Sequence, residues 1–200
     1  MTVRFARPLL GLLLLVATLP AAPIQWKVSD GGNDNWYEFQ PAISIFEPIG
    51  FEQARAAALA ATHLGLPGYL ATVTSEDEQN FIESSFPFLF GFGGTATAFL
   101  GGSDIDVEGE FRWLDGPEAG ELFTYTDWFP GHPTGTGDRL TLLIQFGGNR
   151  GWVDTNDGGA LGYVVEFGDA QPDSVVPEPS ALLLTGLGLA GVAFLRKQRH

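Results

Sequence analysis

The sequence predicts one α+β domain, and three observations predict it. Two helical segments fall early, at residues 51–65 and from Ser75 onward. A run of short apolar stretches separated by glycine turns follows them, and no regular strand–helix alternation occurs, which excludes a doubly wound sheet. Hydrophobic residues make up 44% of the 200-residue chain, enough for one core.

The elements read in order from Pro23, with no internal repeat or low-complexity block. "IQWKV" (24–28) and "WYEFQ" (36–40) flank the turn-rich "SDGGNDN", which predicts a hairpin. "AISIF" (42–46) reads as a further strand. In "FEQARAAALAATHLG", Ala54, Ala57, Ala58, Ala61 and Leu64 share one face at helical spacing, and Gly65 is the stop. His63 then stands near the helix end, where a cation suits the dipole. Ser75-Glu76-Asp77-Glu78 is a capping box that opens a second helix carrying Phe81, Ile82 and Phe86 inward. "AFLGG", "EFRWL", "LTLLIQF", "WVD" and "LGYVVEF" supply the remaining short strands.

Both ends stand apart from this domain. Arg4 and Arg7 precede "PLLGLLLLVATLPAA", an apolar run short of a bilayer span, and Ala21 and Ala22 offer a cleavage point. Residues 1–22 therefore read as a secretory signal peptide, ahead of a domain at 23–170. At the other end lie a Pro-rich linker (171–180), an apolar helix (181–195) and a basic tail (196–200). Gly186, Gly188 and Gly191 dilute that helix, while Arg196, Lys197 and Arg199 hold the tail on the cytoplasmic side. The result is a weak, transient membrane anchor. Pro177, Glu178 and Pro179, followed by that helix and tail, closely resemble the PEP-CTERM sorting signal. The resemblance implies an exosortase-type sorting protease, helix removal, and export through the inner membrane of a Gram-negative bacterium to the cell surface or matrix. An ordinary C-terminal anchor is the alternative.

Between the ends the charge is extreme. Residues 23–180 hold all 24 acids, from Asp30 to Glu178, and only five of the ten bases, a net charge of −19. Nucleic acid and anionic lipid are excluded as partners by repulsion. Divalent cations are favoured, because Asp and Glu are the ligands calcium prefers. There is no cysteine, so the exported domain stands without disulfides.

The central segments together resemble the C-type lectin-like domain. The resemblance runs through Trp26 to Glu38, "GYLATVTSEDEQNFI", "FLGGSD", "EGEFRWLDG", "YTDWFPGHP" and "GWVD…GYVVEF", and rests on their shared order and spacing. It implies two helices, short antiparallel strands and a long irregular loop region. In many members one calcium in that region coordinates vicinal sugar hydroxyls. Here the sugar-site tripeptide, Glu-Pro-Asn in the family, reads His132-Pro133-Thr134. The next acidic pair reads Gly137-Asp138, and Trp-Asn-Asp becomes Trp152-Val153-Asp154. Asp154 alone keeps a carboxylate, and one carboxylate does not hold calcium against water. The resemblance also implies a structural calcium on Asp104, Glu108 and Asp138, all present. The family's disulfide positions are occupied by Arg139 and the "NDGG" stretch.

Other readings carry less. "DIDVEGEFRWLD" (104–115) has the acid spacing of an EF-hand loop, but its flanks are strand-like rather than helical. No nucleophile elbow and no His-Glu-x-x-His occurs, so the chain reads as non-enzymatic. Trp128 is the aromatic placed for metal-independent sugar stacking, whereas Trp152 belongs to the core. Together these features indicate an exported binding module for a polysaccharide or a matrix protein, with its calcium-dependent sugar site degraded and calcium at most structural. A structural matrix component without specific ligand, or a calcium-dependent lectin, are the alternatives.

Overall fold

The computed structural model describes residues 22–88, 90–91, 93–156 and 158–169. The elements are β1 (Ile24–Gln25), β2 (Trp36–Pro41), α1 (Phe51–Ala60), β3 (Thr62–His63), β4 (Leu66–Leu70), α2 (Glu76–Ser85), β5 (Thr95–Ser103), β6 (Arg112–Trp113), β7 (Arg139–Gln145), β8 (Arg150–Thr155) and β9 (Gly162–Phe167). The main sheet runs β1-β2-β9-β5-β7-β8, with β4 added beside β9 and β6 beside β5. All pairs are antiparallel except β5 with β9. This is the α+β architecture the sequence predicts. The signal peptide, linker, sorting helix and tail lie outside the described residues, apart from Ala22.

β9 divides the interior. All six of its residues are buried, and their alternation feeds two cores. Tyr163, Val165 and Phe167 face α1, joining Phe51, Ala54, Ala58, Leu70 and Phe99. Val164 faces the larger core, which includes Tyr37, Ile82, Leu100, Trp113 and Trp152. Each such large side chain contributes about 1.5–3 kcal/mol by leaving water. Close packing of α1 on β4 needs Gly68, where a Cβ would lie 2.6 Å from the Ala58 carbonyl oxygen.

The helices differ from the sequence reading in instructive ways. α1 stops at Ala60, not Gly65, because Ala61 turns extended (φ −80, ψ 150). Thr62 and His63 pair instead with Pro67 and Leu66. Leu64 and Gly65 have positive φ (52 and 87), the pattern of a tight primed hairpin turn. Leu64 is consequently 77% exposed rather than on an apolar face, and Ala57 is exposed as well. His63 is not at a helix end but packs its ring against Trp36 and Phe167. Residues 42–46 form no strand; Ile43 and Phe46 point outward, with only a Ser44–Glu47 bridge. α2 begins as expected, with the Ser75 hydroxyl accepting from Glu78 N (3.2 Å). Ile82 and Phe86 are buried and Phe81 half-buried.

Glu78 does more than cap. Its Oε2 accepts from Thr74 N (2.8 Å), and its Oε1 lies 2.5 Å from the Tyr37 hydroxyl. The same hydroxyl is 3.1 Å from Glu166 Oε1, which also accepts from Asn35 Nδ2 (2.7 Å). Glu166 Oε2 accepts from Thr72 N (3.1 Å). Two buried carboxylates thus share one phenol. Burial first, and then the charge of Glu78, push the Glu166 carboxyl up to about 8, against the opposing pull of the Asn35 and Thr72 hydrogen bonds.

The folded chain therefore holds a proton that the unfolded chain releases near the ordinary value of 4.5. That contribution to stability is complete below the ordinary value and is lost as pH rises toward the folded one, by up to about 1.4 kcal/mol per pH unit. The urea midpoint is expected to fall between about pH 5.5 and about pH 8.5. Glu166→Gln, uncharged throughout, should flatten that slope whatever it costs at the acidic end. A midpoint that rises over this range contradicts the shared-proton assignment.

Candidate functional site

In the long segment between β6 and β7, residues 132–137 gather on one carboxylate of β8. Alternation along β8 puts Trp152 and Asp154 on the same side, the ring in the core and the acid beneath the loop. Asp154 Oδ1 lies 2.5 Å from His132 Nδ1, and its oxygens accept from Thr134 N (2.8 Å to each). Oδ2 also takes the Thr134 hydroxyl (2.6 Å), Gly135 N (3.1 Å) and Gly137 N (3.3 Å). Successive backbone N–H groups curl around an anion in this way when the loop forms a nest. The His132–Pro133 peptide is cis.

The carboxylate at the centre is fully sheltered, with none of its side chain exposed. Burial alone raises its pKa. The Thr134 hydroxyl, the His132 ring and the Thr134 amide outweigh that and hold the carboxyl far below the usual range. Calcium needs oxygen ligands with free lone pairs. Here the oxygens are occupied by protein donors, and an imidazole and a hydroxyl stand on the facing side. This donor set does not fit a sugar-coordinating calcium.

The three residues predicted for a structural calcium lie close by, on the acidic turn after β5 and the start of β7. Asp104 is 3% exposed; its Oδ2 accepts from Gly109 N (2.9 Å), while Oδ1 is buried without a hydrogen-bond partner. Asp138 is tied through its carbonyl to the Ser103 hydroxyl (2.6 Å). Glu108 is exposed, with Oε1 against Gly135. Desolvation and then the charges of Asp104, Asp138 and Asp154 push its carboxyl upward. Among the described residues no group of three or more His, Cys, Asp or Glu is arranged to hold a metal ion. The orphaned Asp104 oxygen fits a cation, whereas exposed Glu108 would have to swing to complete the set. The turn at 104–110 joins two strands, so it is no EF-hand.

Trp128 is not an open stacking face. It is half-buried, packing edge-on to Phe111 (4.9 Å) and Trp152 (5.9 Å). Arg139, at a cysteine position of the resembled family, is 7% exposed. It donates to the Ser103 hydroxyl (2.8 Å) and Glu52 (3.2 Å) and stacks on Phe51, so it links β7 to β5 and α1 without a disulfide.

Sequence reasoning missed two grooves beside this loop. One, of about 350 Å³, lies between α2 and residues 125–127 and contains Asn80, Glu83, Tyr125, Asp127 and Arg150. The other, of about 360 Å³, lies between Phe129-Pro130 and the β7–β8 turn, and Arg150 lines it too. The available signal was the polar set Glu76, Asn80 and Glu83 at helical spacing, which by itself reads as a solvated face.

Comparison with known proteins bears on both parts of the chain. Residues 175–197 match the PEP-CTERM protein-sorting motif, a signal of exported proteins of Gram-negative bacteria. The central region is 34% identical over 152 residues to halomucin of Haloquadratum walsbyi, covering 71% of this chain and 2% of that protein. It is 30% identical over 128 residues to ladderlectin of Oncorhynchus mykiss, covering 63% of this chain and 62% of the relative. The chain thus spans less than two thirds of either curated relative. The structure superposes on the cow C-type carbohydrate-recognition domain of CD23, solved in the presence of a GlcNAc2Man3 oligosaccharide, with TM-score 0.50 and 25% identity. That match covers 74% of this chain and 95% of the CD23 chain.

The Asp154 hub makes a direct prediction. Its depressed carboxyl contributes stability at all pH above its ordinary value of 3.8, and that contribution is lost only as pH falls below it. Asp154→Ala should lower stability at neutral pH by about 1–3 kcal/mol, since it leaves the His132 ring and the N–H groups of Thr134, Gly135 and Gly137 without their acceptor. Urea unfolding measures this, and limited proteolysis should show new cleavage within residues 130–137. An unchanged midpoint contradicts the assignment.

Proposed function

We propose that this chain, a C-type lectin-like domain with a PEP-CTERM sorting motif, is an exported binding module of the cell surface or exopolysaccharide matrix. It recognises a polysaccharide without a calcium-bridged sugar. The observation that carries this reading is the occupancy of Asp154, whose two oxygens are bound by His132, Thr134, Gly135 and Gly137. Protein donors do there what an ion and a sugar hydroxyl would otherwise do, and they tie the loop to β8 without metal. The lectin names of its relatives and the carbohydrate-recognition fold favour a glycan over a matrix protein as ligand. Export through the sorting signal would bring the domain to that glycan.

A structural calcium is a separate matter. Asp104, Glu108 and Asp138 would hold it, and the unpartnered Oδ1 of Asp104 supports the placement. Bound calcium would supply charge neutralisation and stiffness to the acidic turn and nothing to sugar coordination.

Two measurements check these statements. On a glycan array that includes the host exopolysaccharide, the full chain should bind polysaccharide equally with calcium and with EDTA. Calcium-dependent mannose- or galactose-type binding would overturn the degraded-site reading, and binding to none of the glycans would favour a purely structural unit. In thermal unfolding, calcium should raise the melting temperature, and Asp104→Ala should abolish the rise. If calcium saturates near a hundred times its dissociation constant, the gain is about 2.7 kcal/mol. No calcium effect on the intact chain removes the structural site.

A further inference from the structure

We propose that the two grooves meeting at Arg150 form one metal-independent cleft for a neutral polysaccharide, and that this cleft, not the loop around Asp154, is the binding site. The inference deepens the binding-module reading and rests on it. The cleft shares no residue with the loop hub or with the acidic turn.

Its floor is built in. Glu83, with a side chain only 3% exposed, lies 2.6 Å from Arg150 Nε. Its Oε1 accepts from Gln79 Nε2 (2.7 Å), and Gln79 Oε1 accepts from the Trp152 indole (2.8 Å). A hydrogen-bonded chain thus fixes the groove floor to the buried core. Arg150 also reaches Asn80 Oδ1 (3.3 Å). Glu83 Oε2 is buried against the Arg150 guanidinium, so this acid fixes the direction of Arg150 rather than meeting a ligand itself.

The wall between the grooves is equally fixed. Trp152 N donates to Asp127 O (2.6 Å) and Phe129 N donates to Trp152 O (2.8 Å), laying residues 127–129 along β8. Gly151 (φ 150) permits that approach, since a Cβ there would lie 2.9 Å from both Asp127 O and Phe129 N. Sites of this size, ~300–1,000 Å³, typically bind small ligands, and preformed walls spare the ordering cost of binding.

The chemistry selects the ligand. Asp127 accepts hydrogen bonds from hydroxyls, while Asn80, Asn149 and Arg150 donate to ring and hydroxyl oxygens. Phe129 lines the second groove and offers ring surface to the C–H face of a sugar, while Tyr125 lines the first, mostly polar groove. Arg150 is already paired, so the local charge is negative and the whole domain is strongly acidic. A uronate-rich or sulfated polymer is repelled, and a neutral one is not.

The test uses the full chain in EDTA, with isothermal titration against mannan, cello- and chito-oligosaccharides and a polygalacturonate control. The glycan array's best neutral binder serves as the reference probe. Asn80→Trp fills the first groove from an exposed helix position, and Asn149→Trp fills the second from an exposed turn. Each should weaken binding of the reference probe at least tenfold with no change in melting temperature. Polygalacturonate should not bind. If either Trp variant lowers the melting temperature, Asn80→Ala and Asn149→Ala replace it, with a threefold or greater loss expected. Binding that is indifferent to the groove variants but lost in Thr134→Ala overturns the cleft and leaves the binding-module reading standing. Wild-type chain that is folded yet binds no glycan overturns both.

Discussion

The domain depends on β9 being buried on both faces and paired along its edges. β2 and β4 run antiparallel to it, while β5 touches it in parallel through Phe99 and Tyr163. This one strand brings the start and end of the domain together, since Trp36 lies opposite Phe167. It also separates the α1 core from the larger aromatic core, so both packing layers share a single wall. Burial on two sides makes an acid on β9 costly and favours its protonated form. Glu166 survives there because Asn35, Thr72 and Tyr37 satisfy its oxygens.

Everything that projects from this frame is fastened by charge in a chain without cysteine. Arg139 clamps β7 to β5 and α1, and Arg55 pairs with Asp115 in a bidentate contact (2.6 and 2.8 Å) across the α1 side. Asp154 gathers the donors of residues 132–137. Asp154 is buried with its donors around it, whereas Arg139 is buried but its partner Glu52 is exposed, so the Ser103 and Phe51 contacts carry more of the Arg139 clamp. The same economy places Glu83 under Arg150, where fixing a groove floor and satisfying a buried acid are one interaction.

Fold and site were unequally legible. The capping box at Ser75, the glycine-separated strands and the order of motifs located α2 and most of the sheet, since each depends on neighbours in sequence. α1 was drawn too long because alanines at 57 and 61 fit a helical period as well as the interior does. Pairing of Thr62-His63 with Leu66-Pro67 overrode that periodicity. Residues 42–46 look strand-like in composition, yet Ser44 bridges back to Glu47 and the segment closes a turn instead. Loss of calcium ligands at His132, Thr134 and Val153 was readable, because it is a matter of residue type. That the remaining Asp154 is capped by five donor groups was not, since Gly135 and Gly137 contribute only backbone.

By itself the sequence determined the α+β class, the sorting motif, the acidity and the depleted ligand set, all of which follow from residue type and local order. Only the tertiary structure decided what surrounds Asp154 and which grooves lie beside its loop. The Asp154 nest joins residues 17 to 22 apart, and the cleft brings Asn80 to Arg150 across 70 positions. A hydrogen bond is set by distance in space, and folding alone brings such positions within reach. The stretch from His132 to Asp138 thus marks the fold by its order, and its composition departs from the Glu-Pro-Asn pattern of the resembled family. Its geometry alone reveals that the loop is closed on itself and that the open surface lies beside it.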